Sequence, residues 1–151
     1  YSKSFGMNIF YYDPYIKKTY RSVIKVNNIN TLIKKSDIIT IHVPLNSKTE
    51  NLISYKEFMM MKKNCFIINT SRSKIIDELY LIKFLKEKKI QGAALDVIHD
   101  EFTKDLKKNK LLNFAKKNTN LLITPHIGGS TFESVEKTDI YLINKFLSLV
   151  H

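Results

Sequence analysis

Cysteine is almost absent: Cys65 is the only one in 151 residues, which excludes a disulfide framework and a Cys-x-x-Cys zinc site. The default compartment for such a chain is the reducing cytoplasm. Tryptophan is missing, glycine occurs four times and proline three times, and there is no glycine- or serine-rich linker or internal repeat. No apolar run approaches the ~20 residues that a membrane-spanning helix needs, and no charged-then-apolar leader is present. The expectation is a soluble, unexported protein. Arginine is the most informative scarcity, because Arg21 and Arg72 are the only two among 25 basic residues. Lysine, isoleucine and asparagine abound instead, a skew that fits drift in an A/T-rich coding sequence. Positive charge is then partly background, and the rare types (Arg, Gly, Pro, His) mark positions where a substitute fails.

What is present suffices for one ordinary core and is too short for two enzyme domains. Hydrophobic residues make up 44% and aromatics 11%, which excludes wholesale disorder. The net charge of +11 raises the question of nucleic acid. The lysines, however, are spread over nearly every segment, without interleaved stacking aromatics or arginines, so no specific nucleic-acid partner is expected. The opening Tyr1-Ser-Lys-Ser-Phe-Gly-Met7 reads as a helix end closed by Gly6, and the expectation is that a natural N-terminal portion precedes it.

Apolar runs at 8–12, 23–26, 37–43, 65–69, 91–97 and 121–124 read as strands. Helical turns at 30–35 and 56–61 alternate with them, as does a helix capped by Asp77 that turns Leu79, Ile82 and Leu85 inward. A last helix over 131–150 places Val135, Ile140, Ile143, Phe146 and Leu147 along one side. Strands apolar on both faces and separated by helices predict an α/β fold with a mostly parallel sheet covered on both sides.

Ligands of such sheets bind beyond the carboxyl ends of the strands, and the residues there form a coherent set. Asp13 ends the first strand, where an acid accepts the ribose hydroxyls of a dinucleotide and repels a 2′-phosphate, favouring NAD over NADP. Asp13-Pro14 alone is also an ordinary proline turn. Arg72 follows the fourth strand, and a guanidinium grips a planar carboxylate with two parallel hydrogen bonds, as an ammonium cannot; the alternative is a structural salt bridge. Arg21 reads as a surface charge. Asp96 closes the strand 92–96, with Glu101 five residues on, and Thr124-Pro125-His126 closes the last strand. A histidine beside a carboxylate and facing an arginine is what oxidation of a 2-hydroxy acid requires. His42 reads as a core or cleft-lining group, His99 and His151 as unpartnered, Met59 to Met61 as packing and Cys65 as inert.

Taken together, Phe5-Gly-Met7 with Tyr12-Asp-Pro14, Ser36-Asp-Ile-Ile-Thr-Ile-His-Val-Pro-Leu45, Ile68-Asn-Thr-Ser-Arg72, Gly92-Ala-Ala-Leu-Asp-Val97 with Glu101, and Thr124-Pro-His-Ile-Gly-Gly-Ser-Thr131 resemble the NAD-dependent D-isomer-specific 2-hydroxy acid dehydrogenases. The resemblance implies a Rossmann-type doubly wound sheet with NAD as cofactor. It implies Arg72 as the substrate-carboxylate arginine, His126 as general acid/base and Glu101 as its acid partner. Asp13 would take the adenosine ribose, and Val43 and Pro44 would line the cofactor cleft. Thr70, Ser71 and Arg72 would approach the nicotinamide half, and Asp96 would receive the carboxamide. Gly128 and Gly129, beside His126, would let the backbone approach the nicotinamide. On this basis 1–128 is the distal part of an NAD-binding domain, and 129–151 is a hinge and a helix returning to a substrate domain. The His-Ile-Gly-Gly-Ser-Thr wording points to members that oxidise 3-phosphoglycerate in the first step of serine biosynthesis, over those acting on glyoxylate or hydroxypyruvate. The implied protein is a cytoplasmic homo-oligomer acting on a small 2-hydroxy or 2-keto acid. A dinucleotide-sensing relative without catalysis is the alternative, and the joint presence of Arg72, Glu101 and His126 argues against it.

Three departures accompany the resemblance. The family's Arg-Gly is Arg72-Ser73, tolerable only if residue 73 has a negative φ. Its Glu-Pro is Glu101-Phe102, which predicts a looser or longer loop. No Gly-x-Gly-x-x-Gly occurs, so the first strand and the phosphate-binding turn are expected to be missing. Without that strand the sheet should split, or its neighbours pair directly, and the 151 residues alone should have little activity.

Overall fold

The computed structural model describes residues 1–18, 21–103, 105–129 and 131–150. Two strands, β1 (Phe10–Tyr11) and β2 (Ile24–Lys25), pair in parallel. A second parallel sheet has the order β3 (Ile38–Ile41), β4 (Phe66–Asn69), β5 (Gly92–Leu95), β6 (Leu121–Ile123). The helices are α1 (Ile29–Lys35), α2 (Tyr55–Met60), α3 (Glu78–Lys86), α4 (Lys110–Ala115) and α5 (Phe132–Val150). The expected split is present: among the described residues, no strand of the first sheet pairs with one of the second.

Local chemistry sets the helix starts. The Asn28 side chain accepts the Thr31 N–H at 2.8 Å ahead of α1, and the Glu57 carboxylate reaches back to the Ser54 N–H at the start of α2. Asp77 accepts from Leu79 and Tyr80 in the first turn of α3, and Asn109 caps α4 through Leu111 and Leu112. Each such cap contributes about 1 kcal/mol.

Side chains Ile39, Ile41, Ile67, Leu95 and Leu121 of the four-stranded sheet bury against Ile33, Phe58, Leu81, Phe84 and Leu111 of α1 to α4. Phe84 anchors the layer, stacked on Phe58 at 5.2 Å and edge-on to Tyr55 at 6.0 Å. The expected cover on both faces is therefore corrected: Ile38, Phe66 and Leu122 on the other face stay largely exposed. Two further corrections concern helices. In α3 the inward set is Leu81, Phe84 and Leu85, while Leu79 is exposed; and α4 was not expected from the sequence at all. The apolar stripe of α5, including Val135, Ile140, Ile143, Phe146 and Leu147, lies exposed.

Strand register positions the site. Ile41 pairs with Asn69, and Asn69 with Leu95. Leu95 pairs in turn with Ile123. The residues after these four thus emerge side by side along one sheet edge.

Candidate active site

Four loops leave that edge, and hydrogen bonds stitch them together. The Ser71 hydroxyl donates to the Val43 carbonyl, joining the loops after β4 and β3. Pro44 accepts the Thr49 hydroxyl at 2.6 Å, which closes its turn. Asn69 is buried and organises the next residues: its Oδ1 accepts the Ser71 N–H at 3.0 Å and its Nδ2 donates to the Arg72 carbonyl at 2.9 Å. Arg72 is thereby held at the rim with an exposed side chain whose Nη1 donates to the Ser71 carbonyl at 2.7 Å. No carboxylate pairs with it among the described residues. The structural salt bridge is therefore not observed. Ser73 lies outside the positive-φ residues, so it meets the condition for replacing glycine. Thr70 is exposed beside it.

Asp96 is buried at the end of β5 and receives three donors: the Thr124 hydroxyl, the Ile127 N–H at 3.2 Å and the Gly128 N–H at 2.9 Å. The Thr124 bond is the main cause that holds its carboxyl below the usual range, with Gly128 and Ile127 adding to it. A carboxylate offers about four lone-pair sites, so about one is left for a ligand. Gly128 is required here because a Cβ on it would stand 2.9 Å from Asp96 Oδ2; Gly129 faces open space. These bonds also fix His126, whose backbone is left-handed at φ 54. That conformation costs a non-glycine residue roughly 1–2 kcal/mol, and the contacts of Thr124, Ile127 and Gly128 flank it on both sides.

His126 Nδ1 lies 2.7 Å from Glu101 Oε1. The other carboxylate oxygen of Glu101 accepts the Ile98 N–H at 3.2 Å, so the acid is held from two directions. Of the loop predicted to be looser or longer, the described residues 100–103 form a hydrogen-bonded turn. Thr103 folds back on the Asp100 carbonyl through its N–H at 3.0 Å and its hydroxyl at 2.9 Å. Phe102 then sets its ring 6.0 Å from the imidazole, at 33°. With Nδ1 committed to Glu101, Nε2 of His126 has no partner among the described residues and remains free for proton transfer.

Asp13 sits apart, at the end of β1. Its Oδ1 accepts from Tyr15 and Ile16 N–H groups at 2.8 and 3.2 Å, as in a turn, while Oδ2 has no partner among the described residues. The donor set therefore fits the two ends of NAD: a carboxylate oxygen for ribose hydroxyls, and a polar rim at 70–72 and 126–128 for the nicotinamide end. No Gly-x-Gly-x-x-Gly is present in the sequence for the phosphates.

His42 is exposed just past β3, not in the core, with Nε2 2.8 Å from the Thr40 hydroxyl. Cys65 is buried and its thiol is pushed up to about 11, chiefly by burial. Of the methionines expected to pack, Met61 lies in the core and Met60 against it, whereas Met59 is exposed; Arg21 is exposed. The histidine expected to lack partners, His99, has one: its N–H donates to Glu78 Oε1 at 2.6 Å, and its Nδ1 is 3.8 Å from Oε2. His151 and Ser130 lie outside the described residues. Sequence reasoning missed Thr124 as the support of Asp96, and it missed Glu78 and Asn109 as supports of the 96–103 loop. Only Asn109 carried a signal, as a cap residue ahead of Leu111 and Leu112.

Residues 1–128 match the family described as D-isomer specific 2-hydroxyacid dehydrogenase, NAD binding domain. The D-3-phosphoglycerate dehydrogenase of Methanocaldococcus jannaschii is 46% identical over 136 residues, covering 88% of this chain and 25% of that protein. The glyoxylate reductase of Thermococcus litoralis is 40% identical over 139 residues, covering 89% of this chain and 39% of that one. The chain thus spans well under half the length of these relatives. The NAD-complexed D-isomer specific 2-hydroxyacid dehydrogenase of Lactobacillus delbrueckii ssp. bulgaricus superimposes with a TM-score of 0.88 at 28% identity, over 98% of this chain and 47% of that structure. This chain belongs to the D-isomer-specific 2-hydroxyacid dehydrogenases and carries the Rossmann-type fold of their NAD-binding domain.

Proposed function

We propose that the protein oxidises a D-2-hydroxy acid, with 3-phosphoglycerate as substrate, or reduces the corresponding 2-keto acid. The observation that carries this reading is the 2.7 Å contact between Glu101 and His126 Nδ1, which leaves Nε2 open. Arg72 on the same sheet edge, which no carboxylate pairs with among the described residues, complements it. The Arg72 guanidinium holds the substrate carboxylate in a bidentate grip. His126 Nε2 removes the hydroxyl proton as the hydrogen on the adjacent carbon departs with its electron pair. Glu101 stabilises the imidazolium so formed and keeps Nδ1 protonated. When bound, NAD supplies the acceptor for that hydride. Asp13 holds the adenosine ribose, Val43 and Pro44 wall the cleft, and Thr70, Ser71, Asp96, Gly128 and Gly129 frame the nicotinamide end.

Identity to the Methanocaldococcus jannaschii protein supports 3-phosphoglycerate as substrate, and the glyoxylate reductase similarity keeps glyoxylate as the second reading. Segment 129–151 acts as a hinge and as a helix that packs on a substrate domain; the exposed apolar side of α5 supports this and a homo-oligomeric assembly. A cytoplasmic setting suits the free, buried Cys65. The 151 residues alone turn over little substrate, because relatives carry much beyond the matched stretch.

The test is NADH oxidation by the full-length gene product with 3-phosphohydroxypyruvate, hydroxypyruvate and glyoxylate. The highest kcat/KM is expected for 3-phosphohydroxypyruvate. Preference for glyoxylate would select the second reading, and no turnover of any 2-keto acid would overturn both.

A further inference from the structure

Glu78 opens α3 with a side chain only 12% exposed. Withdrawing a carboxylate from water this far is costly unless it is hydrogen-bonded, and burial does raise its carboxyl above the usual range. Neither lysine nor arginine pairs with it among the described residues. Its closest contact is backbone: the His99 N–H donates to Oε1 at 2.6 Å, across 21 positions of sequence. Its place in the first turn of α3 favours the charge, but an apolar residue of similar size would avoid the desolvation.

The place of that contact is informative. His99 lies two residues before Glu101, in the loop that delivers the acid to His126. From the other side, Asn109 donates to the His99 carbonyl at 2.9 Å while capping α4. Within the loop, the Ile98 N–H donates to Glu101 Oε2 at 3.2 Å. Both faces of the His99 backbone are therefore anchored to helices, and the next turn begins at Asp100, which is left-handed at φ 58. Nothing else in the described structure ties this loop to α3 by a hydrogen bond.

We propose that Glu78 is a positioning residue, which through the His99 N–H sets where Glu101 presents its carboxylate to His126. The inference rests on the reading of Glu101 and His126 as the proton-transfer pair. Glu78 touches neither the substrate nor His126; it acts only through the loop.

A double-mutant cycle in the full-length gene product tests this. Glu78→Leu removes the acceptor at similar size, and is expected to lower kcat roughly tenfold or more with KM values and NADH binding changed less than about twofold. Glu78→Gln keeps a carbonyl acceptor and recovers kcat to within about threefold of the parent. In a Glu101→Gln background, Glu78→Leu lowers kcat no further, since residues acting through one another are not additive. The downfield His126 Nδ1–H signal in NMR, present in the parent and in Glu78→Gln, is lost in Glu78→Leu. Should Glu78→Leu fail to fold, Glu78→Asp carries the test, because the shortened carboxylate no longer reaches His99. An undiminished kcat in the variant used overturns the proposal, as does a loss of equal factor in the parent and Glu101→Gln backgrounds. If Glu101→Gln itself retains full kcat, it is the proton-transfer reading that fails, and the role of Glu78 falls with it.

Discussion

Glu101 and His126 stand 25 positions apart and on different loops, yet the carboxylate Oε1 meets imidazole Nδ1 at 2.7 Å. The pairing leaves Nε2 as the imidazole nitrogen with no partner among the described residues, the one proposed to take the substrate proton. His126→Asn is the informative replacement, since asparagine tolerates the left-handed backbone while lacking a titrating group. Its kcat should fall roughly 10²- to 10⁴-fold with NADH binding retained, and Glu101→Gln should fall less. Steady-state kinetics alongside fluorescence titration of NADH checks both; full activity in His126→Asn rejects the assignment.

Gly128 and Gly129 should respond oppositely to alanine. The Cβ of Gly128→Ala meets Asp96 Oδ2 at 2.9 Å, and Asp96 is pinned by three donors, so a loss of about 1–3 kcal/mol is expected. Gly129→Ala meets nothing within 4 Å among the described residues and should stay within about 0.5 kcal/mol. Urea denaturation of the two variants decides the matter, and equal losses would contradict the geometry.

Asp96 also predicts a pH dependence. Its folded carboxyl titrates below the unfolded value of about 4, with the Thr124 hydroxyl as first cause. Its contribution is therefore complete above that value and is lost as pH falls through the folded pKa. Asp96→Asn should cost about 1–3 kcal/mol at pH 7, and the gap to the parent should narrow on acidification. A gap that stays constant down to pH 3 in thermal melts would refute this.

Cys65 is 0% exposed and its thiol is raised to about 11, by burial first and the Asp37 charge second. Almost no thiolate exists at pH 8, and reagent cannot reach the sulfur. Labelling by an aromatic disulfide at pH 8 should track unfolding and be negligible in native buffer. Rapid labelling of the folded chain would show that the β4 layer opens.

Phe84→Ala should cost about 3–5 kcal/mol, because the ring stacks on Phe58 and meets Tyr55 edge-on within the helix layer. A change below about 1 kcal/mol in denaturant melts would mean that α2 and α3 do not share this core.

Much of this architecture was legible because apolar runs end at punctuating residues. Pro14 and Pro44 follow strands, and the row Ile41, Asn69, Leu95, Ile123 places the polar residues after it on one edge. The phase of α3 was not legible. Leu79, Ile82 and Leu85 and the observed Leu81, Phe84 and Leu85 both satisfy helical spacing, and only packing against the sheet selects between them. Helix α4 escaped because six residues amid lysines give too few turns for a period to emerge. The Glu78 contact escaped for a different reason: its partner is a backbone N–H, which every residue but proline carries, so no sequence pattern marks it.

The exposed helix α5 has a mechanical consequence. Nineteen residues at 1.5 Å each make an arm of about 28 Å, so a 10° swing of the chain ahead of Phe132 moves its far end by about 5 Å. Its root lies a few residues from His126, whose neighbours Ile127 and Gly128 are clamped to Asp96. A small rotation at the root is thus amplified at the tip, while the segment beside His126 stays held by Asp96.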